Sequence, residues 1–285
     1  MYIAMYGDKL YPKMLETIPN KPKRLYIKGN IELLNKTGIA VVGSRSHSRY
    51  GKKMCEKFVQ ELVKVGIVII SGLANGIDSI AHKECLKNNG KTIAVIPCGF
   101  KNIFPPENIE LLDNILKNDG CVITEYEENV VADSNLFLER NRIVAGLAIC
   151  TLVIEAGYRS GTSVTARITQ EQGKKVFAVP SSLENRKGIT SNELIQKGAK
   201  LVTSAKDILE EFEYIDFSNI IKLNKEKIIN SEYLNVYKLL SDEPIHINQI
   251  AKKANISIED ASYQLMMLEI SGDVVQLPGK EFIKS

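Results

Sequence analysis

Tryptophan is missing from the 285 residues, aromatic residues make up only 7%, and histidine occurs three times, as His47, His82 and His246. So few imidazoles leave little to act as a general base near neutral pH. The five cysteines (55, 85, 98, 121 and 150) are an odd number without a CxxC pair. That excludes a disulfide framework and a cysteine zinc site, and predicts buried thiols in a reduced, cytoplasmic protein. No apolar run approaches the roughly 18–20 residues of a membrane span. The first residues, MYIAMYGDKLYPKM, lack a basic start, an apolar core and a small-residue cleavage site, so no signal peptide is expected. Walker, GxSxG, HExxH and GxGxxG patterns are all absent.

What is present is the composition of an ordinary globular chain, 44% hydrophobic and 25% charged. The net charge of +3 is unevenly spread. Residues 231–285 hold 5 Lys, no Arg and 8 acids, whereas residues 1–230 hold 32 basic and 26 acidic residues. A polyanion would therefore be met by the larger part.

Residues 1–36, with Pro12, Pro19 and Pro22, read as an irregular N-terminal extension. Short β-branched runs then predict strands at 39–43, 67–71, 92–97, 121–124, 150–155 and 175–179. Helix-length stretches separate them, at about 50–65, 77–89, 107–117, 134–147 and 162–172. This alternation predicts a parallel sheet covered on both faces, over residues 37–212. A weaker pair closes it, a strand at 200–203 and a helix at 204–212 with Ser204 as N-cap. Residues 213–230 read as a linker. Residues 231–285 read as three amphipathic helices followed by two strands joined at Pro278-Gly279, a small winged-helix pattern.

Ligands of parallel sheets sit at the carboxyl ends of the strands, so the residues after each strand matter most. After the first come Gly43-Ser44-Arg45-Ser46-His47-Ser48-Arg49-Tyr50-Gly51-Lys52-Lys53, with four cations, three serines and no acid. Glycines that let backbone N–H groups approach an anion, followed by a helix N-terminus, suit a phosphate. The bland alternative is a solvated turn. After the second strand, Ser71, Gly72 and Gly76 form another glycine loop, with no acid at the strand tip to hold a ribose. Asp78 and His82, four apart, lack a third metal ligand and read as capping and packing residues, so no metal or cofactor is expected. Phe137, Arg140, Asn141 and Arg142 put an aromatic, two guanidiniums and an amide on one stretch of helix. They fit either a base with its phosphate or a core ring beside an ion-paired face. Gly161, Thr162 and Thr165 open a further helix as a phosphate cradle, and Asn192 is expected to cap the helix after strand six. With many phosphate donors and few catalytic groups, the pattern favours binding over catalysis.

GSRSHSRYG, SGLANGIDSIAH, FLERNRIVAGLA, VIEAGYRSGTSVTA and QGKKVFAVP stand in one order, preceded by YPKMLETIPNKPKRLYIKGN. Together they resemble the DNA-processing protein A family (DprA, or Smf) over about residues 10–285. The resemblance implies an extended Rossmann-like fold that binds single-stranded DNA, dimerises, and loads the RecA recombinase on incoming DNA in natural transformation, with no established catalytic reaction. The implied DNA pocket is Gly43, Ser44 and Arg45, the Ser71–Asp78 loop, Phe137 with Arg140, Asn141 and Arg142, and Gly161, Thr162 and Thr165. The chain departs from many members in carrying Pro180-Ser181 where they have Pro-Gly, and the N-terminal helical domain of some members is expected to be absent or vestigial. The implied winged helix has a last helix beginning Ser257-Ile258-Glu259-Asp260 with no Arg or Lys through Gly272, so tight duplex binding by that domain is not expected. Two other readings compete. The fold also resembles nucleoside-monophosphate phosphoribohydrolases of the LOG type, but Thr165 stands where their PGGxGTxxE motif has its catalytic Glu. A nucleotide-sensing or NAD-binding module is the third.

Overall fold

The computed structural model describes residues 1–158, 160–212, 233–241, 243–271 and 273–284. The chain divides into two compact units, Met1–Phe217 and Ser218–Ser285. The expected linker at 213–230 lies outside the described residues.

In the first unit the chain runs β1 (Tyr2–Met5), α1 (Lys13–Glu16), β2 (Arg24–Gly29), β3 (Gly38–Val42), α2 (Arg49–Lys64), β4 (Val68–Ser71), α3 (Ile77–Lys87) and β5 (Thr92–Val95). It continues through α4 (Ile109–Lys117), β6 (Cys121–Thr124), α5 (Ser134–Leu147), β7 (Cys150–Val153), α6 (Gly161–Glu171), β8 (Lys175–Ala178), α7 (Ile189–Gln196), β9 (Lys200–Leu201) and α8 (Lys206–Leu209). The nine strands form one sheet in the order β1-β2-β6-β5-β4-β3-β7-β8-β9. From β6 to β9 across the sheet every pairing is parallel, whereas β2 runs antiparallel to both of its neighbours, β1 and β6. The strands alternate their side chains between two cores. Ala40, Val42, Val68 and Ile70 pack with Ile143, Val144 and Leu147 of α5, while Ile39, Val41 and Ile69 pack with Phe58, Val59 and Leu62 of α2. Burial on both faces is why these strands read as unbroken apolar runs.

Three local expectations are corrected. Residues 1–36 are not irregular: β1 and β2 extend the sheet. β1 buries one side chain of four and β2 carries Arg24 and Lys28, so neither shows a clean apolar run. Ser204 is not an N-cap. The Asp207 carboxylate instead accepts from the N–H groups of Thr203 (2.7 Å) and Ser204 (2.9 Å). Asn192 lies inside α7 rather than at its start, accepting from Ser181 N (3.0 Å) and donating to Ser181 O (2.8 Å). Ser181 itself has no positive φ, so the loop needs no glycine there.

In the second unit α9 (Leu234–Lys238), α10 (Ile247–Ala254) and α11 (Ile258–Ile270) pack with a small antiparallel sheet of β10 (Ile245–His246), β11 (Val274–Leu277) and β12 (Glu281–Lys284) in the order β10-β12-β11. Val236, Ile250, Leu265 and Phe282 are among its core residues.

Candidate functional site

The chain order reverses between β3 and β7: β4, β5 and β6 lie on one side of β3, and β7, β8 and β9 on the other. A crevice is expected at the carboxyl ends of these two strands. Two loops meet there. Ile77 N, at the start of α3, donates to Ser44 O at 3.1 Å. Gly76, at φ +86°, allows this approach, since a Cβ there would lie 2.3 Å from Ser44 O and 2.6 Å from Arg45 Cα. A buried carboxylate fixes the rest of the first loop. Glu155, 1% exposed at the tip of β7, accepts from Ser48 N and Ser48 Oγ, both at 2.6 Å, and from Asn185 Nδ2 at 2.9 Å. Ser48 Oγ in turn caps α2 by accepting from Gly51 N at 3.0 Å.

The two arginines of α5 part company. Successive helical side chains are about 100° apart, so residues two apart diverge widely. Arg140 turns inward and is only 3% exposed. Its Nη1 donates to the carbonyls of Gly72 and Val95, bridging the tips of β4 and β5. A Cβ on Gly72 would sit 2.4 Å from that nitrogen, so glycine makes room for the guanidinium. Asp78, also buried, accepts from Gly72 N at 3.2 Å. Burial pushes the Asp78 carboxyl up while Arg140 opposes the rise. Burial likewise lowers Arg140, to about 10, with Asp78 opposing and Arg45 adding repulsion, so it remains a cation at neutral pH. Arg142 instead pairs with Glu125. Burial raises the Glu125 carboxyl and Arg142 counters it.

A cleft of about 800 Å³ lies over these loops. The Phe137 ring forms one wall, edge-to-face with Phe104 at 5.7 Å. Arg45, exposed, lies over Phe137 at 4.7 Å. The N-terminus of α6 forms another wall, with Gly161, Thr162 and Thr165. Its N-cap Ser160 makes no side-chain capping bond, and its buried Oγ has no partner. Two acids line the cleft, and both are engaged. Asp78 is buried, and Asp133 caps α5 by accepting from Asn135 N (2.7 Å) and Leu136 N (3.0 Å). A positive guanidinium, helix amides and an aromatic face thus line one cleft, the chemical groups that phosphate and base recognition draws on. Among the described residues no three His, Cys, Asp or Glu side chains cluster to hold a metal.

Of the residues singled out from sequence, all but Ser71, Gly76 and Arg142 line the cleft. Ser71 Oγ is buried and donates to Val41 O at 2.7 Å, Gly76 is a spacer, and Arg142 faces its acid elsewhere. Three contributors were missed: Phe104, Ser160 and the clamp Glu155. The aromatic before Pro105-Pro106 and the serine before Gly161 were visible signals. Glu155 was quoted in its motif, but nothing local marks its three partners.

A largely parallel sheet with a cleft at its switch point defines a Rossmann-like α/β protein. The family is equally plain: the model of DNA recombination-mediator protein A matches residues 2–213, and that of the DprA winged helix domain matches 226–280. The chain belongs to this family, and its function is that of a DNA-processing recombination mediator. It is 45% identical over 207 residues to the DNA processing protein DprA of Streptococcus pneumoniae, covering 73% of each chain. It is 34% identical over 278 residues to Protein Smf of Escherichia coli, covering 95% of this chain and 74% of that one. Among solved structures, DprA from Streptococcus pneumoniae superposes with a TM-score of 0.71 at 43% identity, covering 74% of both chains. DNA processing protein A from Helicobacter pylori, studied for its single-stranded DNA binding mode, gives 0.66 at 30% identity, covering 74% of this chain and 95% of that one.

Proposed function

We propose that the cleft holds single-stranded DNA, and that the protein acts as a homodimer loading the RecA recombinase on incoming DNA during natural transformation. One observation carries the DNA reading: Arg45, the face of Phe137 and the unoccupied cap of α6 open into one cleft. Phosphates bind the guanidinium and amides, and a base stacks on the ring without its sequence being read. The Helicobacter pylori relative, with its single-stranded DNA binding mode, supports the same reading. The buried free cysteines support a reducing, cytoplasmic setting. If each cleft engages about three to five phosphates, log affinity falls against log salt with a slope near −2 to −3.5. Two clefts on one strand would gain through effective concentration, which is a reason for such a binder to be dimeric. A forced monomer that binds long oligonucleotides as tightly as the dimer would contradict that reason.

No enzymatic step is assigned. Thr165, where a phosphoribohydrolase has its acid, is buried and its hydroxyl donates to Gly161 O at 3.4 Å, so incubation with AMP should release no adenine. The test of binding is a gel shift with single-stranded and duplex DNA at two salt concentrations, for the parent and Arg45→Glu. Single-strand preference with strong loss in the variant is expected, and unchanged binding overturns the assignment.

A further inference from the structure

Ser46 is the last residue of its loop to line the cleft, and the loop continues from it into a second built surface. Lys187 Nζ donates to His47 O at 3.3 Å, bringing the loop after β8 against the loop after β3. Tyr50 Oη, in the first turn of α2, donates to Pro180 O at 3.0 Å. On the other side, a Cβ on Gly157 would stand 3.7 Å from Arg186 O and 3.8 Å from Lys187 Cα. The loop is held from within. Asn185 Nδ2 bonds both Ser181 Oγ and Glu155 Oε1 at 2.9 Å, and Gly188 N donates to Asn185 O at 2.9 Å. Glu155 therefore clamps the cleft loop and this loop with one carboxylate.

The surface is basic. Arg49, Arg186 and Lys187 are exposed, and none pairs with a carboxylate among the described residues. Glu184 is the acid on the loop, and Glu155 is buried beneath it. Tyr158, 69% exposed, adjoins Gly157. Exposed cations beside an aromatic, continuous with a phosphate-binding cleft, are the elements of a longer single-strand track.

We propose that single-stranded DNA leaving the cleft at Ser46 crosses this lip, with Arg49, Arg186 and Lys187 each taking a backbone phosphate and Tyr158 facing a base. The inference rests on the cleft reading and extends it by a second contact region. The track is tested with oligothymidines of about four and about twelve nucleotides, within the roughly 4–16 nucleotides of single-strand sites. Salt titrations compare the parent, Arg186→Gln/Lys187→Gln, Arg49→Gln and Arg45→Glu. The double lip variant should flatten the salt slope for the longer oligonucleotide by about 1.4, and Arg49→Gln by about 0.7, at roughly 0.7 per phosphate. Neither should change the shorter one. Arg45→Glu should weaken both lengths. If the lip variants keep the parent slope while Arg45→Glu weakens binding, the track is wrong and the cleft stands. Equal losses at both lengths also overturn the track, because they would place these cations within the cleft's own footprint. If Arg45→Glu changes nothing, the cleft reading itself fails.

Discussion

Arg45 lies over the ring of Phe137, its guanidinium carbon 4.7 Å from the centroid, while the buried Arg140 approaches the same ring at 5.9 Å. The ring thus meets one buried cation and one solvent-facing cation. An aromatic wall contributes about 1–3 kcal/mol per stacked base. Phe137→Ala is therefore expected to weaken single-strand binding by about 5- to 150-fold. Fluorescence anisotropy on a labelled oligothymidine checks it, and affinity within twofold of the parent would remove the ring from the site.

Arg140 and Arg45 should separate stability from binding. Leaving buried polar groups without their hydrogen-bond partner costs about 1–3 kcal/mol each. Arg140→Met would leave Asp78 and the carbonyls of Gly72 and Val95 without their cation, so a loss of that order is expected in urea unfolding. Gly72→Ala should destabilise for the same reason, because its methyl would meet the guanidinium at 2.4 Å. Exposed Arg45→Ala should stay within about 0.5 kcal/mol of the parent. Charge reversal at Arg140, 3% exposed, should therefore disturb the fold itself, whereas reversal at the exposed Arg45 should not.

The doubly covered strands were legible because burial on both faces leaves an unbroken apolar run, as in β4 and β7. β1 was not, because Tyr2, Ile3 and Met5 are all exposed on it and no alternation marks a core face. Position after a strand was enough to place Arg45, Gly161, Thr162 and Thr165 at the cleft. It was not enough to tell Arg140 from Arg142. Both are Arg on one helix, and only the Gly72 gap and Glu125, distant in sequence, decide which is buried and which is paired. Of the alternatives left open at that helix, the ion-paired one describes Arg142.

The winged helix should contribute little to DNA affinity. In α11 the N-cap Ser257 accepts from Asp260 N at 2.9 Å, and Asp260 accepts from Ser257 Oγ at 2.7 Å, so this acid serves the helix start. Glu259 is exposed beside it, and the exposed Ile258, Met266 and Ile270 leave no cation to meet phosphate. Glu259→Lys is expected to change single-strand affinity by less than about twofold, since a single exposed charge acts through a screened field. A large gain on duplex DNA alone would show instead that this acid holds a reading helix off the groove.

His82 should make the fold acid-sensitive. The side chain is fully buried, and its Nδ1 lies 2.7 Å from Thr92 Oγ1. That hydroxyl donates to Ile69 O at 2.7 Å, so it accepts from the imidazole and fixes the proton on Nδ1. Nε2 has no partner, and a second proton there would be buried without an acceptor. Burial first, and repulsion from Arg140 second, lower the pKa from 6.5 to about 3. A folded-state value below the unfolded one means that the unfolded chain binds more protons between them. The stabilisation is fully present above about pH 6.5 and is lost as pH falls toward 3, at up to about 1.36 kcal/mol per unit. His82→Gln keeps a donor for Thr92 and removes the titration, so its urea midpoint should fall less than the parent's between pH 6.5 and 5, where few ordinary carboxylates titrate. Parallel profiles for the two proteins would show that this imidazole does not set the acid limit.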